Sequence, residues 1–422
     1  MYKELRKLLK QASYCTNRFL IKRLLKSKYL HSGVFEERIN YNHTNFYGYY
    51  NIDQFNKRNE MLFCSIAGDG DRRKEAHKYN KIDVCNYNIK EQKIEKLGES
   101  RSWNWQQGCM LQWFQMSNDE VIYNDYNAQE DQYYAKITNV LNGKSRKISY
   151  PIYSVAKCDD YALTLNFDRL AWLRPDYGYF TKKNIKSFEL ENDGIWYINL
   201  SKDTQKLIIS FKDLIEIDYR NSMNTYKHKV NHIDISPDSQ HFLFLHRWYY
   251  NGVKFTRLIV SDKYGKKMRI LCGDTMVSHC IWKNNSEIVG YAHVDNLGDK
   301  YFIFNIYNEG ILPFYPKLLS EDGHPSFDNS GRFFITDTYP KRDRFSKLVL
   351  VDTATHIQYI LGSFYQPIKF SGEYRVDLHP RFSKDGKYIS IDSGHEGYRR
   401  TCLFDVSPLI EQITSNCKEV DR

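Results

Sequence analysis

The sequence predicts an all-β chain folded as a single β-propeller of about seven blades. Three observations predict it: a blade-start pattern at near-constant spacing, turn residues where each repeat needs them, and abundant aromatic strand formers. Four segments align without gaps: His232-Ile-Asp-Ile-Ser-Pro-Asp-Ser, His279-Cys-Ile-Trp-Lys-Asn-Asn-Ser, His324-Pro-Ser-Phe-Asp-Asn-Ser-Gly and His379-Pro-Arg-Phe-Ser-Lys-Asp-Gly. In each, a His is followed three residues later by a large apolar residue, then a polar turn, then a new strand. The intervals of 47, 45 and 55 residues match the repeat of about 40–50 residues expected of a propeller blade.

Earlier blades are weaker copies. Gln112-Trp113 before Asn118-Asp119, and Ser154-Val155 before Asp159-Asp160, read as the same strand and turn, and Glu60–Ile66 belongs to the first blade. Turns such as Val260–Gly265 and Val351–Thr355 close outer hairpins. The last blade is one strand short before Asp405, so residues near 35–50 are expected to supply that strand and close the ring. The propeller is assigned to residues 34–407, with 408–422 as a C-terminal tail.

The formal charge of +10 is concentrated at the start of the chain. Residues 1–33 carry nine Lys/Arg against one acid, Glu4, leaving the body almost neutral and without the clustered basic face of a nucleic-acid binder. Leu5, Leu8, Leu9, Phe19, Leu20, Leu24 and Leu25 interleave with these charges at helical spacing. The segment reads as a short basic amphipathic helical region. It is either a solvated or packed tail, or a peripheral contact with an anionic membrane surface. No apolar run of signal-peptide or membrane-spanning length occurs, which points to the cytoplasm, with the inner face of the membrane as the alternative. Nine scattered cysteines without a CxxC pair read as reduced thiols.

The inner strand of each propeller blade lines a central channel, so the four histidines are expected to face one funnel. They either complete turns through the backbone, hold a divalent metal such as manganese or zinc, or act on a substrate directly. His246-Arg247-Trp248 pairs an arginine with an indole, suited to gripping a carboxylate beside a sugar ring. Arg169–Tyr179 is a Pro/Gly loop carrying Arg174, Tyr177 and Tyr179. Trp103, Trp105, Gln106 and Gln107 offer aromatic surface and amides, either as a sugar platform or as core. Gly394-His395-Glu396-Gly397, with Arg399 and Arg400, reads as a turn. No nucleotide-binding glycine loop, nucleophile elbow or HExxH helix occurs, and the Gly-His and Trp-Asp signatures of WD propellers are absent at blade period.

These blade starts, together with Arg375-Val-Asp-Leu-His379-Pro-Arg, Phe244–Trp248 and Arg174–Tyr179, resemble the propeller polysaccharide lyases, namely the oligogalacturonate lyases and the seven-bladed ulvan lyases. The resemblance covers roughly residues 50–407. It implies β-elimination on a uronate: a base takes the C5 proton, an Arg or metal neutralises the carboxylate, and a Tyr or His protonates the leaving oxygen. By this resemblance His279, His324 and His379 are the expected metal ligands, His232 the base, Tyr177 or Tyr179 the acid and Arg247 the carboxylate clamp. Trp103, Trp105, Gln106, Gln107, Arg174, His246 and Arg375 would bind the acidic glycan. No His lies between His77 and His228, where ulvan lyases use early-blade histidines. An amide cannot accept the C5 proton, so weight falls on a metal-assisted route through the C-terminal histidines. A non-catalytic glycan-binding or partner-binding propeller in surface-polysaccharide assembly is the alternative.

Overall fold

The computed structural model describes residues 28–66, 81–182 and 189–420, apart from Arg38, Asn40, His43 and Gln115. The amphipathic helical region expected at the start of the chain therefore lies, up to residue 27, outside the described residues. Among the described residues seven antiparallel blades, six of four strands and one of five, surround one axis. In order they open with Thr44–Phe46, Gln112–Trp113, Ser154–Val155, His228–Ile235, Val277–Trp282, Ser326–Phe327 and Arg381–Phe382.

Side chains close the turns that the repeat predicts. In blade four the Ser236 hydroxyl bonds Asp238 at 2.6 Å and accepts the His241 amide at 3.0 Å. Blade seven repeats this with Ser383, Asp385 and Tyr388 at 2.7 and 3.0 Å. In blade six the Phe333 amide donates to Asp328 at 2.8 Å. Short polar side chains that satisfy nearby backbone groups are what make such a tight reversal stable. The strands that follow, such as Phe333–Asp337, are buried throughout, whereas rim strands such as Ser145–Ile148 are mostly exposed. The core accordingly runs between blades and around the axis.

Phe35–Glu37 completes blade seven, pairing Phe35 with Asp405, Glu36 with Phe404 and Glu37 with Leu403, as the missing strand required. Lys28–Leu30 adds an unforeseen fifth strand to blade six. From Ser407 the chain forms a helix to Val420, whose Leu409 and Ile413 enter the core of blades six and seven. No helix among the described residues is long and apolar enough to cross a membrane.

Candidate functional site

His232 and His279 reach the axis through irregular strands, and His324 and His379 from the residues just before Ser326–Phe327 and Arg381–Phe382. In blade four the pairing of the first two strands slips between Asn231 and Asp234, and in blade five between Val277 and Cys280. Bulges of this kind re-aim side chains and free backbone amides. His232 and His379 take left-handed backbone conformations, with φ of 55° and 47°, which cost about 1 kcal/mol or more and persist only where the surroundings impose them. The surroundings here are polar. The His232 amide donates to the Tyr153 hydroxyl at 3.1 Å, the Cys280 amide to the Tyr50 hydroxyl at 3.0 Å, and the His324 and His379 amides to Asp337 at 2.8 and 3.1 Å.

The four imidazoles form an arc. Ring centroids lie 5.7 Å apart for His232 and His279, 4.2 Å for His279 and His324, and 4.2 Å for His324 and His379. Tyr49 and Tyr50, from the segment joining the first two strands of blade one, fill the axis between them. Tyr49 lies 5.1 Å from both His232 and His379, and Tyr50 lies 5.5 Å from His324. The Tyr49 hydroxyl is 2.8 Å from Nε2 of His232.

In the rings of His279, His324 and His379 an oxygen from a neighbouring residue holds Nδ1. His279 faces Asp322 at 3.0 Å, His324 faces Asp337 at 2.9 Å, and His379 donates to the Gly48 carbonyl at 2.6 Å. Such partners fix ring orientation and leave Nε2 available, the arrangement common to metal-binding histidines. Nε2 of His379 is buried without a hydrogen-bond partner. His324, Asp377 and His379 each offer a ligand atom within 4.8 Å of the others, so the donor set and the orphaned nitrogen fit a divalent ion. Asp377 joins this group where the sequence pointed to His279. His279 stands beside His324, engaged with Asp322.

Beside this arc lies positive charge without a matching acid. Arg247 is 3% exposed, and Nη2 donates to the Val277 carbonyl at 3.1 Å, but Nε and Nη1 have no partner. Burial, and then the neighbouring charge of Arg174, lowers its proton affinity. Lys229 stands directly opposite Arg247 across the first two strands of blade four, and its ammonium position is 2.9 Å from the Tyr249 hydroxyl. A buried charge left unpaired costs about 3–5 kcal/mol.

Ionisation follows from these surroundings. Burial, then the charge of Arg247, holds His232 well below the usual imidazole range. Burial, then His324 and Arg381, does the same to His379. Burial also lowers His279, outweighing Asp322. At His324 burial is opposed by Asp337, and the net direction is upward. Lys229 is pushed down to about 6 by burial, Arg247 and Arg174.

Several sequence-selected residues meet at this place and others do not. Tyr177 packs edge-on against Tyr49 at 5.7 Å, with Arg174 over its ring at 4.3 Å and Nη2 of Arg375 at 3.3 Å from its hydroxyl. Arg375 also pairs with Asp377 at 2.8 Å. Gln106 donates to the carbonyls of Glu373 and Arg375, and Gln107 to the Tyr153 hydroxyl at 2.8 Å. Trp103 and Trp105, each 3% exposed, pack on Phe46. Tyr179 stacks on Phe167 at 4.2 Å, its hydroxyl accepting from Asn124. His246 pairs with His228 at 2.9 Å and packs against Trp248. Successive strand residues face opposite ways, so Arg247 and His246 cannot serve one site. Reasoning from sequence missed Tyr49, Tyr50, Asp322, Asp337, Asp377 and Lys229. Asp377 had a signal: in extended chain it shares a side with His379, two residues on.

Fold and site together define a seven-bladed propeller whose axis carries clustered histidines, a carboxylate and an unpaired arginine. No protein-family model matches this sequence, and no curated protein aligns with it significantly. Among solved structures, an oligogalacturonate lyase from Vibrio parahaemolyticus is similar, with a TM-score of 0.61 and 12% identity over 90% of this chain and 96% of that one. An oligogalacturonate lyase in complex with manganese gives a TM-score of 0.61 and 12% identity over 90% and 97%. At this identity the likeness establishes a shared fold.

Proposed function

We propose that this propeller acts on an acidic, uronate-containing glycan by β-elimination assisted by a divalent metal, manganese or zinc. The observation that carries this reading is Arg247, a buried guanidinium without a counter-anion set beside the histidine arc. An incoming carboxylate would supply the missing partner. Neutral His232, kept unprotonated by burial, accepts the C5 proton. The C4–O bond breaks as the C4=C5 double bond forms, and Tyr177 gives its hydroxyl proton to the leaving oxygen. Arg174 and Arg375, both in contact with Tyr177 and paired with Asp176 and Asp377, hold the Tyr177 ring in place. A metal held by His324, Asp377 and His379 would supply further positive charge for the uronate carboxylate.

The test is the ultraviolet absorbance of the purified protein incubated with a panel of uronate oligosaccharides and polysaccharides, with manganese or zinc and with chelator. Unsaturated uronate that accumulates with metal and vanishes with chelator is the expected result. No product across the panel would count against elimination.

A second reading, a glycan-binding propeller without turnover in surface-polysaccharide assembly, is favoured by one observation. Tyr49 and Tyr50 are 1% and 2% exposed and occupy the axis where a substrate ring would have to enter. Under this reading the same glycans bind without being cleaved, and deleting residues 1–27 abolishes co-sedimentation with anionic liposomes. Binding of liposomes that survives the deletion would remove the membrane part of this reading.

A further inference from the structure

We propose that Glu36, His395 and Glu396 form a second divalent-cation site, suited to Zn2+, that fastens the closing strand to the last blade. The three residues come from both sides of the ring seam. Glu36 lies in Phe35–Glu37, and His395 and Glu396 lie in the loop before Arg400–Asp405, the strand on which Phe35–Glu37 pairs. Each offers a ligand atom within 4.8 Å of the others.

His395 distinguishes this cluster from ordinary surface acids. It is 6% exposed and packs edge-on against Phe364 at 5.5 Å. Ser393 Oγ engages Nδ1 at 2.9 Å, and Nε2 is buried with no hydrogen-bond partner. An Nδ1–H donated to Ser393 leaves the Nε2 lone pair free, the tautomer a metal ligand needs. The carboxylates keep capacity as well. Lys28 contacts Oε2 of Glu36, and Arg400 contacts Oε2 of Glu396 at 3.0 Å, so one oxygen of each carboxylate remains for an ion. One imidazole with two carboxylates matches the preferences of zinc, whereas calcium and magnesium favour all-oxygen shells.

The position gives the ion a task. Phe35–Glu37 is held to blade seven by one strand pairing of only three residue pairs, and Lys28 belongs to the strand added to blade six. An ion bound there only in the closed ring stabilises closure by mass action.

The experiment is a Zn2+ titration of metal-free full-length protein, read by equilibrium dialysis and by unfolding midpoint. Glu36→Gln and Glu396→Gln are each expected to weaken binding at the seam by more than about tenfold and to lose the Zn2+-dependent rise in midpoint. Comparison with and without Zn2+ within each variant cancels the loss of the Lys28 or Arg400 contact. The His324→Ala/His379→Ala double variant should keep the seam site, and Asp377→Asn replaces it as background if the double variant does not fold. Uptake and stabilisation equal to the unaltered protein in both Gln variants, or no binding in either channel-altered background, would overturn the proposal.

Discussion

Nδ1 of His379 donates to the carbonyl oxygen of Gly48 at 2.6 Å, joining the start of the last blade to the segment that runs along the axis. The same carbonyl accepts from Nη1 of Arg381 at 3.1 Å, so one backbone oxygen orients two side chains of blade seven.

Gly48→Ala is expected to disturb this junction. Gly48 has φ of 133°, and an added Cβ would meet the Gln107 backbone at 2.7 Å. The variant should lose about 1–3 kcal/mol of stability and bind manganese more weakly, because the carbonyl that sets the His379 ring is displaced. Urea unfolding with a parallel manganese titration checks both; unaltered metal affinity in a destabilised variant would separate the two roles.

Asp377→Asn removes the carboxylate from the His324, Asp377 and His379 group while keeping its shape. Metal affinity should fall at least about tenfold, measured by calorimetry. An affinity equal to that of the unaltered protein would mean that His279 completes the site instead.

Arg247→Met should act in opposite directions on stability and binding. Replacing a buried, unpaired cation by an apolar chain of similar length is expected to be neutral or to add about 1–4 kcal/mol, while affinity for acidic oligosaccharides drops. A large loss of stability would show that the Val277 contact outweighs the buried charge.

Lys229 gives a pH signature. Its folded-state value of about 6 lies below that of the unfolded chain, so the unfolded state binds the proton more readily. Stability should therefore rise with pH between about 6 and 10 as that advantage fades. Lys229→Met is expected to be more stable than the unaltered protein at pH 7, with the gap closing toward pH 10, in denaturant titrations across that range. A gap that does not change with pH would show that Lys229 stays charged when folded.

The repeat was legible because each blade solves the same local problem. A histidine, a large apolar residue and a capped polar turn recur in four blades, chain length sets the count at seven, and the closing strand follows from the last blade being one strand short before Asp405. Tyr49 and Tyr50 left no such trace, since they lie beyond the short first strand of blade one, in a connecting segment that copies no repeat. The carboxylates that orient the histidines were invisible for a different reason. Asp322 stands 43 residues from His279 in the chain, and Asp337 13 residues from His324, distances at which spacing carries no information about contact. His246 could have been set apart from Arg247 by strand parity alone.

The closing strand has a consequence for biosynthesis. Phe35–Glu37 leaves the ribosome long before Arg400–Asp405, its partner in blade seven, and at about 5–20 residues per second that interval lasts tens of seconds. Throughout it both edges of the growing stack of blades stand open to pairing with other nascent chains, so an early residue such as Glu36 finds its place only after the last blade has been made.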